Sequence, residues 1–362
     1  MSSLARLGWG PFFEQQIRSI DASEPSRALC SRVIQEERGA YRVAGQFDGW
    51  AEISGRFRRH APQAADFPAV GDWVLLARSD AGGDGRALIH GRLERRSALS
   101  RTAAGRRVDE QIVAANVDTI LIVTDVDDLS ARRIERYLTM IWDAGAVPVV
   151  VLNKTDLVAE PSRVADDLRG RLPFVDIVTL SAIGPASLDA LAPYLQPATT
   201  VALVGSSGVG KSTIVNRLVG HARQKVAAIR ESDGRGRHTT TSRQLIELPG
   251  GALLIDTPGM RELLPWADAS AVEAVFEDIE QLAGGCRFAD CAHASEPGCA
   301  VLAAVDAGTL DPDRLESFRR LLREAAFEER KRDKAAEAEH KRRWKKIHQA
   351  NKALYRERDR HR

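Results

Sequence analysis

One stretch of the sequence combines glycines, a lysine and hydroxyl groups at a spacing that binds phosphate. It reads Gly205-Ser206-Ser207-Gly208-Val209-Gly210-Lys211-Ser212 and lies between an apolar strand-like run, 200–204, and a helix-like run, 213–219. Glycines let backbone N–H groups approach phosphate oxygens, and the start of the following helix adds positive potential. We predict that Lys211 reaches the terminal phosphates and that the Ser212 hydroxyl binds magnesium. A purely structural glycine-rich turn would not need this lysine and serine.

A second magnesium position is predicted where another apolar run ends, at Asp256-Thr257-Pro258-Gly259. The Asp256 carboxylate would hold the ion through water, and the Gly259 N–H would contact a γ-phosphate. Between the two motifs lies 234–241, Gly-Arg-Gly-Arg-His-Thr-Thr-Thr, whose composition suits a switch loop that closes on magnesium through a threonine. Which of its three threonines would bind the ion is left open.

Two further stretches predict recognition of guanine. Asn153-Lys154-Thr155-Asp156 ends the apolar run 147–152, and Ser181-Ala182 ends the run 174–180. The Asp156 carboxylate would accept hydrogen bonds from two N–H groups on the edge of guanine, a pattern that adenine lacks. The alternative for this motif is a helix cap, which the presence of a phosphate loop in the same chain makes less favoured.

The order of these motifs is reversed relative to ordinary GTPases, because 153–156 and 181–182 precede 205–212. The same site forms if the sheet is circularly permuted, which folded domains tolerate when their original ends lie close together. Apolar strands alternate with helical stretches from residue 117 onward, a pattern typical of a doubly wound parallel sheet. Switch II, around 256–259, would lead directly into the C-terminal region, so that loss of the γ-phosphate would move that region.

The position after the Asp-Thr-Pro-Gly motif predicts an unusual hydrolytic step. Many GTPases place there a glutamine that orients the attacking water, whereas this chain has Met260. Either hydrolysis is slow without a partner or another side chain substitutes. We predict His238, in the switch-like loop, as the catalytic substitute, together with Lys211 and Thr240; the alternative is that His238 contacts a partner.

Three of the four cysteines and one histidine lie within fourteen positions, as Cys286, Cys291, His293 and Cys299. Three thiolates and one imidazole complete a tetrahedral structural zinc site with no open position. A disulfide framework is the alternative, which a cytosolic compartment disfavours. Cys30 lies apart and is predicted to be a thiol in a barrel core.

The region 32–96 reads as five short strands separated by glycines: 33–34, 40–44, 51–57, 72–77 and 87–93. This pattern favours a small closed barrel of the OB-fold type, which commonly binds oligonucleotides. Its arginines predict a basic rim that follows a nucleic-acid backbone, and the alternative is a barrel that only spaces the domains. The predicted rim residues are Arg86, Arg92, Arg95, Arg96, Arg101, Arg106 and Arg107.

Charge is distributed unevenly along the 362 residues, whose net charge is +2. Residues 319–362 contain seventeen Lys and Arg against eight Asp and Glu, which indicates either a contact with a polyanion or a solvated helix with internal ion pairs. No run reaches the roughly 20 apolar residues that a membrane helix needs, and residues 1–20 lack the apolar core of a secretory signal. We therefore expect a cytoplasmic protein without a membrane partner.

Together these residues resemble the circularly permuted GTPases that depend on the small ribosomal subunit, the RsgA family. The resemblance runs from the barrel segment 70–74 through 111–118 and the nucleotide motifs to Cys299. It implies GTP and GDP as ligands with Mg²⁺, a Zn²⁺ site, and the small ribosomal subunit with its rRNA as partner. It also adds Thr213 to the predicted phosphate and magnesium residues.

The resulting organisation is an N-terminal extension (1–28), an OB-fold RNA-binding domain (29–97), a permuted GTPase domain (98–265), a helical zinc-binding domain (266–330) and a basic helical tail (331–362). The expected function is a GTPase that binds small subunits, assists their late maturation and leaves after hydrolysis, as a monomer. Two alternatives are an RNA-binding assembly factor that uses GTP as a structural ligand, and a GTPase that acts on another RNA.

Overall fold

The computed structural model describes residues 3–23, 29–37, 39–78, 86–102, 110–127, 129–172, 174–184, 188–220, 243–256, 269–327 and 329–330. The chain forms two compact units. The first consists of Met1–Arg101 with Glu110–Pro265, and the second of Thr102–Asp109 with Trp266–Arg362. Among the helices in the described ranges, none is long and apolar enough to cross a bilayer.

Two helices open the first unit, α1 (Ser3–Arg6) and α2 (Pro11–Ser23). Their apolar side chains pack against the barrel that follows: Phe13 is buried beside Trp73 and Leu93, and the Trp9 ring meets the Trp73 ring edge-on at 4.8 Å. This burial of aromatic surface fixes the N-terminal segment to the barrel.

Five strands form the closed barrel: β1 (Leu29–Glu37), β2 (Ala40–Gly45), β3 (Gly49–Ile53), β4 (Trp73–Arg78) and β5 (Ala87–Arg92). Their order is β1-β2-β3-β5-β4, and pairing of β1 with β4 closes the barrel. Alternate residues fill its interior, among them Val33, Val43, Val74 and Ile89. The barrel confirms the predicted OB-type architecture, and Cys30 is a buried free thiol, as predicted.

One predicted strand of the barrel was too long. The run 51–57 was expected to be a single strand, but β3 ends at Ile53 and Phe57 belongs to helix α3 (Gly55–His60). The Ser54 side chain accepts a hydrogen bond from the Phe57 N–H at 3.1 Å, so a local cap turns the chain into a helix.

Strands β6 (Ala98–Thr102) and β7 (Glu110–Ala115) follow the barrel in the chain and pair with each other as a separate two-stranded sheet. A larger sheet follows them. That sheet contains β8 (Thr119–Asp125), β9 (Val147–Asn153), β10 (Asp176–Thr179), β11 (Thr200–Val204), β12 (Gln244–Glu247) and β13 (Leu253–Asp256). Its order is β10-β9-β8-β11-β13-β12. The first five strands in this order are parallel, and β12 is antiparallel to β13.

Three helices accompany the sheet, α4 (Ala131–Asp143), α5 (Pro161–Arg171) and α6 (Lys211–Val219), together with the 3₁₀ turns Thr155–Leu157 and Asp189–Tyr194. A further 3₁₀ turn, Ala64–Asp66, lies beside the barrel. Strands β8, β9 and β11 are almost completely buried, as expected for parallel strands covered on both faces. The permuted α/β fold predicted from the motif order is confirmed.

The barrel and the nucleotide-domain sheet are continuous through an antiparallel contact of β1 with β12, at Gln35 and Gln244. Next to it, Arg243 Nη1 lies 3.5 Å from Glu36 Oε2 and donates to the Ile112 carbonyl at 3.2 Å. Burial raises the pKa of Glu36, and the charge of Arg243 opposes this. Arg243 and Gln244, at the start of β12, therefore connect directly to the barrel and its neighbouring strand.

Arg32 joins three parts of the first unit from a buried position on β1. Its guanidinium donates to the carbonyls of Leu7, Gly71 and Asn116 at 2.6, 3.0 and 3.0 Å, and to Thr200 Oγ1 at 3.0 Å. Burial lowers the pKa of Arg32 to about 10, partly offset by the charge of Asp118, so the group remains cationic at neutral pH.

The second unit is helical, with α7 (Ala269–Val275), α8 (Glu277–Ala283), α9 (Ala300–Asp306) and a helical stretch at 312–327. Phe276 and Phe318 pack with ring centroids 5.3 Å apart. Arg314 lies over the Phe276 ring at 4.7 Å and pairs with both carboxylate oxygens of Asp278 at 2.7 and 2.6 Å. These contacts give the unit a small core of its own.

Replacing Arg32 with Met should strongly destabilise the first unit. The substitution keeps apolar bulk but removes four hydrogen bonds, and of their acceptors the Gly71 carbonyl keeps a second donor, the Asn116 side chain. We expect this loss to lower the free energy of unfolding by about 3 kcal/mol. Urea unfolding followed by tryptophan fluorescence measures the change. Arg42→Met, at an exposed position on β2, is the matched control and should stay within about 0.5 kcal/mol of wild type. Equal unfolding midpoints for the two variants would contradict the assigned role.

Candidate functional site

The predicted nucleotide residues lie at one edge of the sheet because they follow neighbouring parallel strands. Asp125 on β8 is in register with Asn153 on β9, and Thr179 on β10 with Leu152. Strands β11 and β13 run parallel beside β8, so their last residues reach the same edge. The carboxyl ends of parallel strands at a switch in strand order are the usual place for a ligand.

The phosphate loop begins at Gly205 and ends where α6 starts. Gly205 has φ of +139°, and a Cβ on it would lie 2.1 Å from the Val123 carbonyl oxygen, so only glycine fits. The Lys211 ammonium donates to the Gly205 carbonyl at 2.7 Å and also to the Ser206 carbonyl. Lys211 and Ser212 therefore stand in the first turn of α6, with the lysine folded over the loop.

Asn153 connects the phosphate loop to the predicted guanine-reading loop. Its side chain is buried, its amide donates to the Val209 carbonyl at 2.8 Å, and its oxygen accepts from the Ala182 N–H at 2.9 Å. Gly210 approaches so closely that a Cβ there would lie 2.2 Å from the Asn153 amide nitrogen. One buried amide thus fixes the spacing of both loops.

Asp156 and Ser181 face each other as the guanine-reading prediction requires. The Ser181 hydroxyl donates to an Asp156 carboxylate oxygen at 2.5 Å, and the Thr155 N–H donates to the Leu180 carbonyl at 3.3 Å. Arg217 on α6 donates to the Ala182 carbonyl at 2.7 Å, which ties this loop to the helix that follows the phosphate loop. The structure therefore brings 153–156, 181–182 and 205–212 together.

Three contacts at the sheet edge that carries the predicted nucleotide residues were not predicted from the sequence. Lys154, in a left-handed conformation with φ of 60°, places its ammonium 2.7 Å from the Asp125 carboxylate, and Asp125 is buried. Arg133 on α4 donates to Ser206 Oγ at 2.6 Å, and Arg217 is the third. None belongs to a short motif; the signal for Asp125 was only its position at the end of the apolar run 119–124.

Several predicted residues lie outside the described part of the chain. These are the switch-like loop 234–241 with His238 and Thr240, and the segment 257–260 with Gly259 and Met260. The coupling of switch II to the C-terminal region also falls there. Asp256, the last residue of β13, is at the expected edge.

The cysteine cluster forms a compact set of four ligand atoms in the second unit. Those of Cys286, Cys291, His293 and Cys299 all lie within 4.8 Å of one another. The Cys286 and Cys299 sulfurs are 3.8 Å apart, and His293 Nδ1 is 3.6 and 3.5 Å from them. All the cysteines are free, so the predicted alternative of a disulfide framework is not formed. The set could hold a metal ion.

The loop that carries these ligands is held by Glu296. Its carboxylate accepts hydrogen bonds from the N–H groups of Ala292, Ala294 and Ser295 at 3.1, 2.7 and 3.0 Å. Hydrogen bonds from its own backbone N–H, and then from those of Ser295 and Ala294, lower the pKa of Glu296 to about 2. His293 has a positive φ of 55°, which this closed loop maintains.

The buried guanidinium of Arg319 near the cysteine cluster bears on whether the cluster fits a metal ion. Its Nε and Nη2 atoms are buried and lack a hydrogen-bond partner among the described residues. Burial, and then the charge of Arg319, lower the pKa of His293, which leaves the imidazole neutral at pH 7, the form that binds metals. Three thiolates around a divalent ion carry a net negative charge, which a nearby guanidinium stabilises. The residues therefore fit a thiolate-rich metal site.

The arginines predicted as the barrel's rim are mostly engaged within the protein. Arg95 is only 10% exposed and pairs with buried Asp72 at 2.7 Å, so its predicted role in a surface groove was wrong. Arg86 pairs with Glu52, Arg96 pairs with Asp118, and Arg92 donates to the Leu93 carbonyl. The side chains of residues 101, 106 and 107 are outside the described part.

The sequence of this chain is similar to one family model and to individual proteins of the same family. The family model described as RsgA GTPase matches residues 92–266. A protein of Opitutus terrae named small ribosomal subunit biogenesis GTPase RsgA is 46% identical over 360 residues, 97% of each chain. One of the same name from Methanosarcina acetivorans is 49% identical over 282 residues, which cover 78% of this chain and 75% of that protein.

Solved structures show the same fold. The crystal structure of YjeQ from Thermotoga maritima superposes with a TM-score of 0.61 at 24% identity, covering 83% of this chain and 99% of that one. The structure of YloQ, described as a circularly permuted GTPase, gives a TM-score of 0.59 at 22% identity and covers 84% and 97%.

Removing the Asp125 carboxylate should weaken guanine-nucleotide binding by releasing Lys154. We expect Asp125→Ala to raise the Kd for GDP about tenfold, and the change to be much smaller in a Lys154→Ala background, a coupling of about 1 kcal/mol. Titration with a fluorescent GDP analogue measures both. Exposed Asp127→Ala is the matched control. Unchanged affinity, or equal losses with and without Lys154, would show that the ion pair does not position the lysine.

Proposed function

The chain belongs to the RsgA family of GTP-hydrolysing enzymes, and we propose that it binds the small ribosomal subunit and assists its late maturation in a subunit-stimulated GTPase cycle. The observation that carries this proposal is the 46% identity to a small ribosomal subunit biogenesis GTPase over 97% of both chains. A barrel, a permuted nucleotide domain and a Cys/His cluster in one chain support it. We propose that the five segments predicted from the sequence act as its domains.

We propose that the phosphate loop holds the triphosphate and that Lys211 stabilises the charge on its terminal phosphates. The backbone N–H groups of 205–210 and the start of α6 would provide fixed donors, and the lysine would exchange its loop carbonyls for phosphate oxygens. Asn153 supports this role because it holds Val209 in place. Ser206 is in turn fixed from outside by Arg133.

We propose that Ser212 and Asp256 hold a magnesium ion at the end of β13, with Thr213 beside them in the first turn of α6. Both groups offer oxygen ligands, which magnesium prefers. When bound, the ion neutralises charge that develops on the phosphates during transfer to water. Thr240 and Gly259 are the proposed switch residues, and His238 is the proposed group that orients the attacking water in place of a glutamine.

Guanine selection is proposed to rest on Asp156, held in position by Ser181 and the Thr155 backbone. The carboxylate would accept from two N–H groups of guanine, and the adjoining loop is held in place because the Ala182 N–H donates to Asn153. Adenine offers no such donor pair, so binding it would leave the Asp156 carboxylate without those two hydrogen bonds.

We propose zinc as the ion of the cysteine cluster. A tetrahedral ion with Zn–S bonds of about 2.3 Å and Zn–N bonds of about 2.0 Å places sulfurs about 3.8 Å apart and sulfur about 3.5 Å from nitrogen. The separations among Cys286, His293 and Cys299, 3.8, 3.6 and 3.5 Å, match these values, and the Cys291 sulfur lies within 4.8 Å of all three. Four protein ligands leave no open position, so the role is structural. Free thiols also suit a cytoplasmic protein, which we propose acts as a monomer.

GTP turnover measured with and without purified small ribosomal subunits tests the proposed function. We expect slow turnover alone and at least about tenfold faster turnover with subunits, because a partner must complete the water-positioning step. Large ribosomal subunits serve as the control. Nucleotide binding without turnover in either condition would favour a structural role for GTP, and turnover that ignores subunits would indicate another RNA.

Removing zinc should unfold the cluster loop while sparing nucleotide binding. After treatment with a strong chelator, we expect loss of about one zinc per chain and rapid proteolysis of the second unit, because its ligand loop has little apolar core. Elemental analysis and limited proteolysis measure these effects. Cys291→Ser should behave in the same way, whereas Cys30→Ala should keep its zinc. A metal-free chain with an unchanged digestion pattern would contradict the proposal.

A further inference from the structure

The barrel's arginines divide into those that have partners within the protein and those that do not. Arg95 is held by Asp72, Arg86 by Glu52 and Arg96 by Asp118. Buried Arg32 binds backbone carbonyls. An arginine with an internal acidic partner has its charge compensated, and an external anion would have to replace that partner.

Helix α3 carries the opposite kind. Arg56, Arg58 and Arg59 are all exposed, and within the described residues none has a side-chain hydrogen bond or an ion pair. The helix contains no acidic residue, and His60 at its end is exposed as well. We name Arg56, Arg58 and Arg59 the α3 arginine face. Cations this close repel one another unless an anion approaches.

The position of this face is fixed by the barrel. Ser54 accepts from the Phe57 N–H at 3.1 Å, and the Ser54 N–H donates to the Ile89 carbonyl of β5 at 3.0 Å. Phe57 is partly buried. At about 100° per residue, Arg56, Arg58 and Arg59 fan across the side of the helix opposite Phe57. The arginines are thus held outward together on a short, anchored helix.

The chemistry of the face indicates its ligand. Guanidinium groups form paired hydrogen bonds with phosphate oxygens. Three of them on a helix with no exposed Phe, Tyr or Trp suit a sugar-phosphate backbone rather than unstacked bases. Resting on the proposed function, we propose that the α3 arginine face is the barrel's contact with the phosphate backbone of RNA in the small ribosomal subunit. The predicted rim residues Arg86, Arg92, Arg95 and Arg96 instead have partners within the protein.

The test is a full-length chain carrying Arg56→Gln, Arg58→Gln and Arg59→Gln together, titrated against purified small subunits at several salt concentrations. Wild type should bind with a steep salt dependence. The variant should bind at least about tenfold more weakly, and the slope of log K against log salt should fall by about 2 to 3, the loss of three phosphate contacts. Replacing the same residues with Lys should restore most of the slope. The GDP affinity and thermal midpoint of the triple Gln variant should match those of wild type, because all three arginine side chains are exposed.

Arg86→Gln is the matched control, since Arg86 is exposed on the same barrel but paired with Glu52; its affinity should change less than about twofold. Wild-type affinity and slope in the triple variant would overturn the assignment of α3 while leaving the proposed function intact. Failure of wild type itself to bind subunits would overturn both. If the triple variant loses affinity for subunits but binds protein-free rRNA as wild type does, the contact is to a protein and the RNA assignment is wrong.

Discussion

The arrangement of the nucleotide site depends on one buried amide. Asn153 leaves the end of β9, donates to Val209 and accepts from Ala182, and so sets the distance between two loops that are far apart in sequence. Neither carbonyl nor N–H could be buried there without such a partner, since an unpaired buried polar group is costly. Gly210 must be glycine because that amide occupies the space of its Cβ. The circular permutation leaves this geometry unchanged. The hydrogen bonds of the Asn153 side chain depend on which strands are adjacent in the sheet and not on the order of those strands in the chain.

Arg32 plays the corresponding role between the barrel and the nucleotide sheet. It binds the N-terminal segment, the barrel loop at Gly71 and the first residue of β11, the strand that leads into the phosphate loop. With the β1 to β12 contact, this makes the barrel an extension of the nucleotide domain's sheet within one compact unit. The strand after the switch-like loop is therefore attached to the barrel through Arg243 and Glu36.

Short motifs were predictable from the sequence because their chemistry is contained in consecutive residues that follow strands. The segments predicted to bind phosphate and guanine, and the cysteine cluster, were located in this way, and apolar runs located the parallel strands. Contacts between residues far apart in the sequence could not be predicted in this way. Nothing in the local sequence indicates that Asp125 holds Lys154, that Arg133 holds Ser206 or that Arg217 holds Ala182. Helix α3 was misread because alternation through Ala51 to Phe57 suits a strand, and only the Ser54 cap within the folded barrel decides for a helix.

The predicted basic rim shows that contacts between distant residues also decide the role of charged side chains. A sequence reveals where arginines cluster, but whether a guanidinium can bind an external anion depends on whether an acid from elsewhere already holds it. Asp72, 23 positions before Arg95, is fully buried with that arginine, and a pair so placed contributes to folding rather than to recognition. The arginines of α3 lie in a helix without acids and on the outside of the barrel, so their charge is available. Pairing, more than the number of basic residues, therefore separates an arginine held within this barrel from one that is open to an external anion.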